Sequence, residues 1–215
     1  MGDMIGKIAI YFASRPDEYL LALREHIVLS LLSLCAAIII GVPLGILCVR
    51  YKNQQKWVVG FFQVLRIVPS LAVLVMLIPV MGVGERPAIT ALVLLAVPPV
   101  LMNTVAGLEE VPFFMLETAE GMGMTGRQIW GKVRIPLAMP LILAGIKIAM
   151  IEIIASAAIA AKIGAGGLGG IILTGLGLNR IDLLLVGGVT VAALSLLAGV
   201  LMDLLDRVLL KYKYA

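Results

Sequence analysis

Three long stretches of this 215-residue chain carry no charged residue: 27–49, 87–105 and 183–202. Each is long enough to cross a bilayer as a helix, which takes about 20 residues. A fourth stretch, 137–161, is as long and as apolar but contains Lys147 and Glu152. A fifth, 57–81, is less regular, because Arg66 lies inside it and Pro69 is expected to kink it. This region has two readings: one kinked crossing, or an interfacial helix over 57–66 followed by a short crossing from near Ile67. The apolar run from Gly169 to Leu178 is too short to cross and suggests a re-entrant or interfacial piece. The pattern predicts an all-α integral membrane protein of about five spans. They form one domain over 27–207, preceded by a tail of residues 1–26 and followed by a short tail of residues 208–215.

Composition agrees with the pattern. Hydrophobic residues make up 61% of the chain and charged residues 14%, with a mean hydropathy of +1.10, whereas soluble domains are about a quarter charged. The lipid bilayer is therefore the first expected partner, and five crossings leave no room for a separate catalytic domain.

The distribution of Lys and Arg predicts an orientation. Placing the polar segment 112–136 inside puts Arg50, Lys52, Lys56, Arg127, Lys132, Arg134, Arg207, Lys211 and Lys213 on that side, nine in all. Lys7, Arg15, Arg24, Arg86 and Arg180 make five outside, with Arg66, Lys147 and Lys162 within or at the edge of spans. The positive-inside rule favours this arrangement, with the N-terminus outside and the C-terminus cytoplasmic. Membrane orientation also accounts for the net charge of +4, and no basic cluster of the kind that binds nucleic acid remains. The first 26 residues lack the basic start and cleavage site of a signal peptide. Pro16, Asp17 and Glu18 read as the first turn of a helix along the outer surface that leads into the first span.

Segment 112–136 is the main polar interruption. Met115, Ala119 and Met122 recur at i, i+4 and i+7, giving a short helix one apolar stripe to bury, with Glu117 and Glu120 on a polar side. Gly121, Gly123 and Gly126 break that helix. Thr125 with Gln128 has the form of a capping box that starts a second one. Arg127, Lys132 and Arg134 follow, and Pro136 is expected to stop the second helix before the next span. Helix, turn, helix at this spacing suggests a surface built to dock another protein.

Several features resemble enzyme motifs without their context. Gly164 to Gly169 satisfies G-x-G-x-x-G, but a membrane helix precedes it in place of a strand, so it reads as a flexible outer turn. No G-x-x-x-x-G-K-[ST] occurs; if ATP drives this protein, another polypeptide hydrolyses it. His26, the single histidine, reads as a solvated anchor at a span edge, with no metal cluster around it. Cys35 and Cys48 would lie roughly 20 Å apart on one helix, too far for a disulfide between them, and read as small packing residues. Gly41 and Gly45 form a G-x-x-x-G pattern that lets another helix approach. Lys147 and Glu152 are about 140° apart around a helix and are not expected to pair with each other. Each should face a protein neighbour or a water-filled path, and both are candidate path residues. An intramembrane enzyme would need convergent catalytic groups, which these residues do not supply. A passive channel would have no use for the elaborate polar segment.

The run Glu117-Thr118-Ala119-Glu120-Gly121-Met122-Gly123, followed nine residues later by Val133-Arg134-Ile135-Pro136, resembles the EAA loop of ABC-transporter permeases. Glu117, Ala119, Gly123 and Pro136 match that pattern, while Thr118, Val133 and Ile135 replace its usual Ala, Ile and Leu. Residues 66–82, with Ile67-Val68-Pro69-Ser70-Leu71-Ala72, and 116–169, ending Ile163 to Gly169, resemble the permeases of osmoprotectant importers, and the similarity covers most of residues 20–207. Arg66 stands where that family would have a smaller uncharged residue.

The resemblance implies a type I ABC importer permease fold like that of methionine permeases, with a cytoplasmic coupling-helix loop in which Glu117 and Gly123 fix the first helix. It also implies two ATPase subunits, a second permease subunit, identical or related, and an extracytoplasmic solute-binding protein. No cofactor is expected in this chain, ATP and Mg belonging to the partner ATPase. The implied solutes are quaternary amines such as glycine betaine, choline and carnitine, with methionine or another amino acid as the alternative. Residues 67–112 and 137–211 contain no Phe, Tyr or Trp, so these spans cannot build an aromatic cage for a quaternary ammonium. Tight capture is therefore expected in the binding protein, and a weakly selective passage in this chain.

Overall fold

The computed structural model describes residues 2–210, and among them every regular element is helical. Lys211 and Lys213 of the orientation count lie outside the described residues. A first helix, α1 (Gly2–Ser14), precedes α2 (Pro16–Arg50), whose first position is Pro16 with Asp17 and Glu18 in its first turn. Proline suits that position because its missing N–H has no partner to lose there. The helix runs unbroken through residue 26 for 35 residues, about 52 Å at 1.5 Å per residue.

The irregular region 57–81 forms two helices, α3 (Lys52–Ile67) and α4 (Ser70–Met81), bent by 99°. The cause is local. A proline disfavours the helical region for the residue before it, and Val68 accordingly adopts φ −69° and ψ 123°. The second reading from sequence, a separate helix over 57–66 followed by a short apolar segment from near Ile67, has the break in the right place; the structure adds that the two helices meet nearly at a right angle. Helices α5 (Glu85–Glu109), α8 (Ile135–Ala160) and α10 (Ile181–Leu209) complete the long elements. With α2 they make four helical segments long and apolar enough to cross a membrane, or five if the bent pair counts as one.

Helix α5 is the centre, packed between α2 and α8, with Ala88, Ala91, Leu92, Ala96, Val100, Leu101 and Leu108 fully buried. Small residues set its spacing. A methyl group on Gly41 would come within 2.9 Å of Val100, and one on Gly45 within 2.7 Å of Thr104. The G-x-x-x-G pattern thus lies against α5, as close helix packing in membranes requires.

Cross-links sort the helix ends into two groups. Gln55 donates to Glu109 Oε1 at 2.7 Å, so the α2–α3 turn and the end of α5 lie together. At the opposite end the Gly84 N–H donates to the Ile163 carbonyl at 2.7 Å, and the Gly167 N–H to Glu25 Oε2 at 2.8 Å. The short helix α9 (Leu168–Gly177) runs antiparallel along α10, with Gly187 against Ile172 and Gly175 against Leu183.

Two readings from sequence are corrected at this second end. His26 is fully buried, and its Nε2 lies 3.0 Å from the Ile154 carbonyl; a carbonyl only accepts, so Nε2 is the protonated nitrogen. The lateral packing of α8 and the glycine turn covers it, which a span-edge position does not reveal. The turn over 164–169 is likewise held: Ala165 and Leu168 are buried, and Glu25 anchors Gly167.

Candidate functional site

The polar segment folds as α6 (Phe113–Gly121) and α7 (Gly126–Ile129) joined by a tight turn. Gly123 adopts φ +80°, its N–H donates to the Glu120 carbonyl at 2.8 Å and the Met124 N–H reaches the Ala119 carbonyl at 3.1 Å. This is a Schellman motif, which needs a left-handed residue at the position Gly123 occupies. The capping box forms in full: the Gln128 N–H donates to Thr125 Oγ1, and the Thr125 N–H to Gln128 Oε1 at 2.8 Å.

The apolar stripe is only partly used within the chain. Ala119 is buried, while Met115 is 37% and Met122 71% exposed. Met122 caps the helix directly before the left-handed Gly123 and stays outward at the helix end. Leu116 packs α6 against the main core, and Glu117 stays exposed beside the exposed Phe113 and Phe114. The result is a short helix clamped from beneath, with apolar and acidic groups left outward.

Pro136 does not end the second helix. From Gly126 the chain is helical to Ile163, changing to a π-helical turn over Trp130–Arg134 and returning to α-helix at Ile135. A proline ring collides with the carbonyl four residues back, and a wider π turn immediately before it removes that collision without ending the helix. The polar segment is thereby continuous with α8. Arg134, inside the π turn, lies 4.7 Å over the Trp130 ring and donates from Nε to the Leu108 carbonyl at 3.2 Å.

The candidate path residues each find a partner on another helix. Glu152 accepts from Arg66 Nη2 at 3.2 Å, and Lys147 donates to Asp203 Oδ1 at 2.6 Å. They lie in separate clefts, of about 390 Å³ beside Arg66, Pro69, Ser70 and Ser156 and about 310 Å³ between α8 and α10. Arg66, an isolated departure in the sequence, is the partner Glu152 needs. The available signal was simple: a charge in one apolar stretch calls for an opposite charge in another.

The model of the family described as "Binding-protein-dependent transport system inner membrane component" matches residues 37–211. The glycine betaine/carnitine/choline transport system permease protein OpuCB of Bacillus subtilis (strain 168) is 37% identical over 203 residues, 94% of each chain. The carnitine transport permease protein OpuCB of Listeria monocytogenes is 41% identical over 88% of this chain and 87% of its own. Among solved structures, a chain of the MetNI methionine ABC transporter in an inward facing conformation is similar, with TM-score 0.78 and 25% identity over 89% of this chain and 95% of that one.

Proposed function

Because the chain belongs to the family of binding-protein-dependent transport system inner membrane components, we propose that it forms the translocation path of an ATP-driven importer of quaternary amine osmoprotectants such as glycine betaine, choline and carnitine. The similarity to permeases named for these solutes, at 37% and 41% identity over nearly the whole chain, carries the solute assignment. Methionine is the less favoured solute, since the likeness to the methionine transporter is one of fold at lower identity. The absence of aromatic residues from most of the spans supports a weakly selective passage supplied by a separate binding protein.

Two ATPase subunits bind and hydrolyse ATP with Mg outside this chain, and two permease subunits form the path between them. The segment 112–136 faces the cytoplasm, and Met115, Glu117, Met122 and the exposed side of α6 meet the ATPase. Ala119 and the Gly123 turn hold α6 rigid, and the helix continuing through Pro136 carries its displacement into α8. Glu152 lines the solute path. Lys147, paired with Asp203 in a separate cleft, holds α10 against α8.

The test is uptake into proteoliposomes containing this chain with its ATPase and binding protein. Labelled glycine betaine or choline should accumulate only with enclosed ATP. Accumulation of methionine alone would transfer the assignment to amino-acid import, and flux without ATP would contradict the importer.

A further inference from the structure

Arg66 and Glu152 lie within two apolar stretches, in the last turn of α3 and in the second half of α8, and meet at 3.2 Å. Their side chains remain 42% and 40% exposed. Among the described residues they are the two charged groups lining the cleft, with Ser70 and Ser156 as its other polar side chains. A half-open ion pair between the end of the amphipathic α3 and the apolar α8 is costly against lipid tails, so this face belongs to water or a polar partner.

We infer that the Arg66–Glu152 pair is a transit site for zwitterions. A solute carrying both a quaternary ammonium and a carboxylate separates the pair, its carboxylate taking Arg66 and its ammonium facing Glu152. This deepens the reading of the Glu152 cleft as the solute path and rests on it.

Charge balance is the reason. A zwitterion replaces one ion pair with two complementary contacts and leaves neither protein charge without a counter-charge. A solute that is only a cation takes Glu152 and leaves the Arg66 guanidinium without its counter-charge, which is modestly unfavourable for a group that is 42% exposed. The guanidinium fork matches a carboxylate in bidentate fashion, whereas a quaternary ammonium has no N–H to donate and is held by charge alone. Because the existing pair must break as the new contacts form, the exchange is close to neutral, and the solute can leave as readily as it enters. A passage requires such weak binding.

The test uses proteoliposomes holding the complete complex, with the binding protein saturated by glycine betaine or by choline so that its own selectivity drops out. The wild-type complex should move glycine betaine faster than choline by about tenfold, equivalent to one charged contact left unmade. Arg66→Gln should bring the ratio to about one, chiefly through loss of betaine uptake, and Arg66→Lys should keep most of it. A double variant exchanging the charges, Arg66→Glu with Glu152→Arg, should also keep the preference. An unchanged ratio in an assembled Arg66→Gln complex overturns the inference, as do equal wild-type rates. Should Arg66→Gln fail to assemble, the exchanged variant decides: assembly without the preference overturns the inference. Uptake of methionine and of neither amine overturns the functional reading itself, a result distinct from a lost ratio.

Discussion

The Arg134 guanidinium spans two elements, its Nε donating to the Leu108 carbonyl at 3.2 Å while its plane lies 4.7 Å from the Trp130 ring centre. Leu108 is in the last turn of α5, where carbonyls lack helical partners. Arg134 therefore ties the polar segment to the central helix. Arg134→Ala should lower stability by about 1–2 kcal/mol through the lost charged hydrogen bond and cation–π contact. Thermal unfolding in detergent measures this, and Arg134→Lys should recover only part because an ammonium cannot both stack and donate in that fixed geometry.

Gly45 lies so close to Thr104 that an added methyl would sit 2.7 Å from it. Gly45→Val should force α2 away from α5 and destabilise the protein by about 1–3 kcal/mol. Gly60, with open space around it, is the control: Gly60→Ala should leave the unfolding temperature the same or raise it slightly, since alanine is the better helix former.

A solvated histidine would tolerate replacement, but a buried one bonded to a carbonyl would not. His26→Ala should leave a cavity between α2 and α8 and remove the hydrogen bond to the Ile154 carbonyl, costing about 2–4 kcal/mol. Unfolding midpoints of the purified protein check this. An effect within the scatter of surface substitutions would restore the solvated reading.

Thr125→Ala removes the acceptor of the Gln128 N–H and should loosen the start of α7 by about 1 kcal/mol. Faster amide exchange over 126–129, with exchange in α5 unchanged, is the expected signature.

Much of this was legible in the sequence because it depends on local chemistry. The capping box at Thr125 and Gln128, the glycine break at 123, the close-packing face of Gly41 and Gly45 and the short apolar piece over 169–178 each follow from neighbouring residues. What escaped depends on contacts between distant segments. The burial of His26 is set by α8, and Glu152 gains Arg66 from 86 residues away. Pro136 was misread for a different reason: a proline signals a break only in an α-helix, and the preceding π turn removes the clash that would cause one. The 99° bend at Val68 and Pro69 lies between these cases, since its position was readable and its size was not.

The coupling of this chain to a separate ATPase is the central claim, and Gly123 tests it most directly. Its φ of +80° is one that a β-branched residue resists by about 1–2 kcal/mol or more, so Gly123→Val should displace α6 while leaving the spans intact. The measurement is the ratio of solute taken up to ATP hydrolysed, in proteoliposomes containing the assembled complex. The account predicts that the variant still assembles and hydrolyses ATP while uptake per ATP falls by about tenfold, as expected when a positioning element is misplaced by an ångström or more. Uptake and hydrolysis remaining in the wild-type ratio would contradict it.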